Sequence, residues 1–369
     1  MQGKPYLRGL TSIRFFLAAL VVLAHCRGDL LHYDIVVGKG SPVFSKGELA
    51  VAYFFVLSGF LLTYLAYSEF IKNNRIDIKK FFIRRILRIF PLYYLGVFLG
   101  YFTLGFLYPK FYGEPYLAFS ISEGFPFHLF SLPNWVIAKY SEGVGSLYSL
   151  WSLGVEEQFY LFFPFLCLLL FKLKNSTTYL AFLAIAYYAM YTNLNNLYPT
   201  YWPESVMKFL ITLKFHFMLT GGVFGLLYFR RRTLFERLFT SKLSQIIVLL
   251  LFLGTVFTSN VLSENDLLYG SIFSLFLISL TCNTTLGNVF EHPILKHLGV
   301  LSFGVYVFHP LVSYSLRFVL EKSDAALSLV STVPATYIVT EILLAILVAH
   351  LSYRYFEKRF LDLKIKYST

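Results

Sequence analysis

Residues 12–26 read SIRFFLAALVVLAHC, an apolar run that carries a guanidinium at Arg14 and an imidazole at His25. An arginine near the centre of a membrane helix costs about 2.5–3.5 kcal/mol, so such a residue usually faces protein or a watery cavity. Eleven residues on a helix amount to about 16 Å of rise and about 20° of net rotation, which puts both side chains on one stripe. Lys4 and Arg8 precede the run as they would in a cleaved leader. Arg14 inside it, and a histidine where a small residue is needed, identify it instead as a retained first membrane helix.

The rest of the chain agrees with a membrane reading. Of its 369 residues 57% are hydrophobic and only 14% charged, with a mean hydropathy of +0.64, far outside the soluble globular range. Aromatic residues make up 20%, including 41 Phe and 28 Tyr, and most of these suit lipid-facing packing and interfacial belts. Apolar runs of about 20 residues recur at roughly 10–30, 48–70, 90–108, 148–171, 178–195, 207–229, 243–260, 266–286, 298–318 and 332–353. They predict an all-α polytopic transmembrane bundle of about ten spans, forming a single domain over 1–369.

Charge orients that bundle. With the first loop outside, 22 of the 32 Lys and Arg fall in interior segments, which places both termini in the cytoplasm. The formal charge of +12 is then a topology signal and a contact with anionic lipid, and nucleic acid is excluded as a partner. Cys26, Cys167 and Cys282 are dispersed in apolar runs; they form neither a disulfide framework nor a metal-ligand spacing and read as small hydrophobes. The longest connection, about 109–147, is rich in Gly, Pro, Ser and aromatics and reads as an external cap or re-entrant loop. Any chemistry is therefore built by the helices themselves.

Several polar residues inside the apolar runs could supply it. The connection KNNRIDIKKFFIRRILRIFPLYY holds seven cations between Lys72 and Arg88, of which Arg84 and Arg88 share a helix face with Arg85 adjacent. Lysines there anchor the membrane surface, whereas guanidinium groups also bind phosphates in bidentate fashion, as a cytosolic cofactor with several phosphates requires. Glu156 and Glu157 open the fourth span; adjacent carboxylates point to different helix faces, so one at most meets a given pocket. Glu156 and His25 are expected at similar depth and able to meet, with an ion-pair role for the glutamate as the alternative. His309 precedes Pro310, where the missing donor lets a helix kink around a cavity, although helix packing explains the histidine equally well. His216 and Glu341 lie near the middle of their spans, divided between packing and function. Ser58, beside Gly59, reads first as a close helix contact and only second as a nucleophile.

Taken in order, RGLTSIRFFLAALVVLAHC, FFVLSGFLLTY, FFIRRILRIFPLYY, SLWSLGVEEQFYLFFP and LSFGVYVFHPLV make the chain resemble the membrane-bound acyltransferase-3 family of bacterial O-acyltransferases over nearly its whole length. A last block, LSYRYFEKRF, departs by placing Arg359 where a proline is common. The resemblance implies transfer of an acyl group, usually acetyl, from cytosolic acyl-CoA to a hydroxyl of a cell-envelope polysaccharide or glycan precursor, in the bacterial cytoplasmic (inner) membrane. It makes Arg14 and His25 the paired first-helix residues needed for donor use, Arg85 and Arg88 the basic motif, and Glu156, with Glu157, the acidic position. Some relatives carry an appended esterase-like domain; this chain resembles the stand-alone form.

On that basis Arg14, Arg84, Arg85 and Arg88 are expected to hold acetyl-CoA, with no metal. His25, assisted by Glu156 or Glu157, either takes the acceptor proton during direct transfer or carries the acyl group covalently. Glu156 could orient the imidazole or bind a sugar hydroxyl, and Trp135 with several Tyr of the external loop could stack on sugar rings. The competing readings are an acyltransferase acting on a lipid or small molecule, and a flippase or transporter of lipid-linked sugars in which the buried charges line a path.

Overall fold

The computed structural model describes residues 7–140, 143–197, 202–258, 265–282 and 284–367, and every regular element among them is helical. Lys4, counted above with the interior cations, lies outside the described residues. The main helices are α1 (Ile13–Leu31), α2 (Gly47–Asn73), α3 (Ile78–Phe102), α4 (Ile121–Leu129), α5 (Pro133–Tyr140), α6 (Trp151–Phe171), α7 (Ser176–Leu197) and α8 (Glu204–Thr212). They continue with α9 (Phe215–Arg230), α10 (Arg232–Leu238), α11 (Lys242–Phe257), α12 (Asp266–Thr281), α13 (Pro293–Lys322), α14 (Asp324–Thr332), α15 (Ala335–Ser352) and α16 (Lys358–Ile365).

Helix lies in each of the ten apolar runs, but 207–229 is broken into two helices at 213–214 and 266–286 is interrupted after Thr281, with 259–260 and 283 outside the described residues; the chain is a multi-pass membrane protein. By length and composition six helical runs among the described residues can cross a membrane: Gly47–Asn73, Ile78–Tyr112, Gly145–Phe171, Glu204–Arg230, Pro293–Lys322 and Ala335–Ile365. A seventh is reached if α10 and α11, bent by 94°, are counted as one span. The other expected spans are helical but fall outside this set for visible reasons. α1 carries Arg14, Arg27 and Asp29, α12 has only 16 residues, and α7 runs into the polar sequence TNLNN.

The helix ends are set locally. Asp77 caps α3 by accepting the Lys80 N–H at 2.9 Å, a bond that holds its carboxyl below the usual carboxylate range. α2 stops at Asn74, which takes a left-handed φ of 52°. Beyond α3 the chain passes through a π-turn, Thr103–Leu107, into Tyr108–Tyr112. The connection that follows folds into α4 and α5, the first opened by a capping box between Ser120 and Glu123.

The apolar stretch of α2 is largely buried all round, as expected of a central helix. It runs along α9 at backbone contact: Gly59 backs onto the Met218 carbonyl, Gly221 onto that of Val56 and Gly225 onto that of Phe60. The large apolar core surrounds this pair, and a smaller one lies among α1, α13 and α15. α1 contributes to both, Leu17 and Val21 to the first and Ala18, Val22 and Cys26 to the second.

The cationic connections share one end of the bundle. Arg84 donates to the Tyr367 carbonyl beyond α16 at 3.2 Å, Arg230 reaches Tyr67, Ser176 and Thr177, and the Gly9 N–H donates to Glu291 at 2.7 Å. Arg359, exposed in the first turn of α16, leaves that tail helical. The opposite end is closed by Glu48 paired with Lys214, Tyr112 with Glu321 and Tyr116 with Tyr314.

Candidate functional site

At the level of Arg14 three helices bring charge together. Arg14 of α1 interacts electrostatically with Arg88 and Arg85 of α3 and with Glu156 and Tyr160 of α6. The Tyr160 hydroxyl donates to Glu156 Oε2 at 2.7 Å and is bonded to Ser58 of α2, while the Arg85 guanidinium lies over the Tyr160 ring at 5.0 Å. Arg14, Arg85, Arg88 and Glu156 are all half-buried. The carboxylate compensates part of three positive charges and leaves an excess suited to a polyanion. Arg84 is committed elsewhere: it pairs with Glu69 at 3.0 Å and with the C-terminal segment. Ser58 is a helix-contact residue held by a phenol, next to the glycine that touches α9.

The second group stands farther along the stripe of α1. The His25 ring meets His309 edge-on, with centroids 4.9 Å apart and planes at 81°, and Tyr148 at 6.5 Å. α13 runs through Pro310 without a break. What the proline changes is the hydrogen bonding: residue 310 has no N–H for the carbonyl four residues back, that of Tyr306. His309 Nδ1 occupies the vacated acceptor at 2.8 Å. Because a carbonyl only accepts, Nδ1 carries the proton and the lone pair resides on Nε2, which is buried without a hydrogen-bond partner.

The carboxylate beside His25 is Asp29, one turn on. Asp29 accepts from Ser313 and from Tyr337 at 3.2 Å, and Arg317 lies 3.7 Å away. The expected meeting of Glu156 with His25 is therefore replaced by an i, i+4 pair within α1. The six-residue 3-10 segment Gly145–Leu150 precedes α6 and adds about 12 Å of rise, so Glu156 sits deeper than a span beginning at 148 suggests. Tyr306 joins the two groups: its hydroxyl bonds Ser152 at 2.6 Å, its ring lies 5.9 Å from His309, and it interacts electrostatically with both Glu156 and Tyr148.

The remaining candidates lie apart. Glu157 is buried; it faces Ser131 and the tyrosines of α3, on the side of α6 away from the arginines. His216 Nε2 bonds Asp266 Oδ2 at 2.9 Å among Tyr187, Tyr188 and Tyr191, fastening α9 to α12. Glu341 accepts from Cys26 Sγ at 3.0 Å and ties α15 to α1. Trp135 packs against Phe127 and Phe209. Among the described residues no group of three or more His, Cys, Asp or Glu is placed to hold a metal ion.

Sequence reasoning missed Asp29, Tyr148, Tyr160, Tyr306 and Arg317. Asp29 had a usable signal, since it continues the Arg14 to His25 stripe at i+4. The tyrosines had none to separate them from the others.

Known proteins resemble this chain in the same terms. "Putative peptidoglycan O-acetyltransferase YrhL" of Bacillus subtilis (strain 168) is 27% identical over 97% of this chain and 55% of its own length. "O-acetyltransferase OatA" of Staphylococcus aureus (strain NCTC 8325 / PS 47) is 32% identical over 47% of the chain and 27% of its own length. "Putative O-acetyltransferase SACOL0978" of Staphylococcus aureus (strain COL) is 25% identical over 96% of the chain. The chain thus spans little more than half the length of the relatives that it matches end to end. No solved structure matches it. The acyltransferase domain family matches residues 7–353, all of the described bundle up to its C-terminal segment, and the chain belongs to that acyltransferase-3 family.

Proposed function

We propose that this protein transfers an acetyl group from cytosolic acetyl-CoA to a hydroxyl of a cell-envelope polysaccharide, with peptidoglycan the favoured acceptor, in the bacterial inner membrane with both termini inside. The observation that carries this reading is the polar line within an apolar bundle. It runs from three guanidinium groups through Glu156, Tyr160 and Tyr306 to two imidazoles about 16 Å farther on. The names of YrhL and OatA support the acetyl group, and that of YrhL the wall polymer.

In this mechanism Arg14, Arg85 and Arg88 hold the phosphates of the donor at the cationic end, and the pantetheine arm extends along the α1 stripe. His25, the accessible ring of the pair, takes the proton of the acceptor hydroxyl as its oxygen attacks the thioester carbonyl. The C–S bond breaks, the acyl–oxygen bond forms, and the proton passes from the imidazolium to the departing thiolate. Asp29 stabilises the transient imidazolium. His309, fully buried, is a positioning residue that fixes the face of His25.

Purified protein in nanodiscs with radiolabelled acetyl-CoA tests the reading. Acceptor-dependent or slow hydrolytic loss of the thioester, abolished by His25→Ala, is expected; an intact thioester would instead leave a transporter of lipid-linked sugars. The acceptor is checked by NMR of envelope glycans with and without the gene, where loss of an O-acetyl signal identifies the polymer. No lost glycan signal, with thioester turnover intact, would redirect the search to a lipid or small molecule.

A further inference from the structure

Among the described residues Tyr148 is the open ring at the imidazole site. It is 43% exposed, yet stands 6.5 Å from His25 and within electrostatic reach of the Tyr306 hydroxyl and of Glu48. Glu48 opens α2 at the non-cationic end, is 54% exposed and is paired with Lys214. Across His25 stands the second ion pair, Asp29 with Arg317, whose guanidinium covers the Tyr314 ring at 5.4 Å. Gly145, with a φ of +57°, turns the chain against Tyr116 and Tyr314, and Tyr148 follows three residues later.

This end of the bundle therefore brings near one another an open aromatic face, two ion pairs and an imidazole. A pyranose ring has that complement, with axial C–H groups that rest on an aromatic face and hydroxyls that both donate and accept. Resting on the acyltransferase reading, we infer that Tyr148 is the stacking platform of the acceptor subsite, that it takes one sugar residue of a glycan, and that the Glu48–Lys214 and Asp29–Arg317 pairs bind that sugar's hydroxyls. The sugar's reacting oxygen then faces His25, while the rest of the chain leaves along the outer surface.

The test is equilibrium binding of chitotetraose to the full chain in nanodiscs by titration calorimetry. Tyr148→Ala and Tyr148→Leu lose the aromatic face, and each is expected to weaken binding about tenfold. Tyr148→Phe keeps the face and is expected to stay within about twofold of the unsubstituted protein. Unchanged affinity in the Ala and Leu variants overturns the proposal, as does equal loss in Phe or no binding by the unsubstituted protein. Thioester turnover by the unsubstituted protein is read separately, so failure of the donor reading with sugar binding intact is distinguishable from failure of the subsite.

Discussion

Arg14 shows how one side chain decides between two explanations. If it contacts donor phosphate, Arg14→Ala raises the KM for acetyl-CoA by about 10- to 100-fold, the range for losing a charge-assisted hydrogen bond, with folded yield unchanged by size-exclusion chromatography. Equal loss of yield would make it structural. Arg85→Lys together with Arg88→Lys preserves the charge and removes the planar fork; the expected result is a similar rise in donor KM, read by thiol release, and retained activity would reduce both to anchors. These residues were legible in the sequence because an ionised group in an apolar run is conspicuous. Asp29 and Arg317 lie near helix ends, where charge is ordinary, and only their mutual contact sets them apart. Tyr148 and Tyr160 were hidden among 28 tyrosines.

At the scale of the element, α13 and the α2–α9 pair carry the sharpest expectations. Pro310→Ala restores an N–H that competes with His309 Nδ1 for the Tyr306 carbonyl, so the imidazole is released while the helix gains a bond. Turnover by thiol release should fall while the melting temperature in detergent holds or rises; loss of both would make the proline merely structural. Gly221→Val sets a branched side chain against the Val56 carbonyl and is expected to destabilise by about 1–3 kcal/mol or more, seen as a lowered melting temperature. The helices themselves were readable because each apolar run has the length of a bilayer. Their exact depth was not: the 3-10 entrance to α6 shifts Glu156 inward, and no periodicity announces a change from 2.0 to 1.5 Å per residue.

For the whole molecule the prediction is orientation. Glu114→Cys, exposed at the Tyr112–Glu321 end, should react with an impermeant maleimide on intact cells, and Lys242→Cys only after permeabilisation. The three native cysteines are buried and keep the background low; the reverse pattern would invert the protein. The fold class followed from hydropathy and the cationic end from the positive-inside bias, whereas the bend between α10 and α11 and the helical cap of α4 and α5 depend on tertiary contacts invisible in composition. The partners of α1 also bear on biogenesis. Among the described residues Arg14 finds its counterparts in α3 and α6 and Asp29 its counterparts in α13 and α15, all made later by the ribosome, whereas the middle of α2 is apolar. α1 therefore waits for its polar partners and is expected to need an insertase or a polar interface as shelter until α13 and α15 are made.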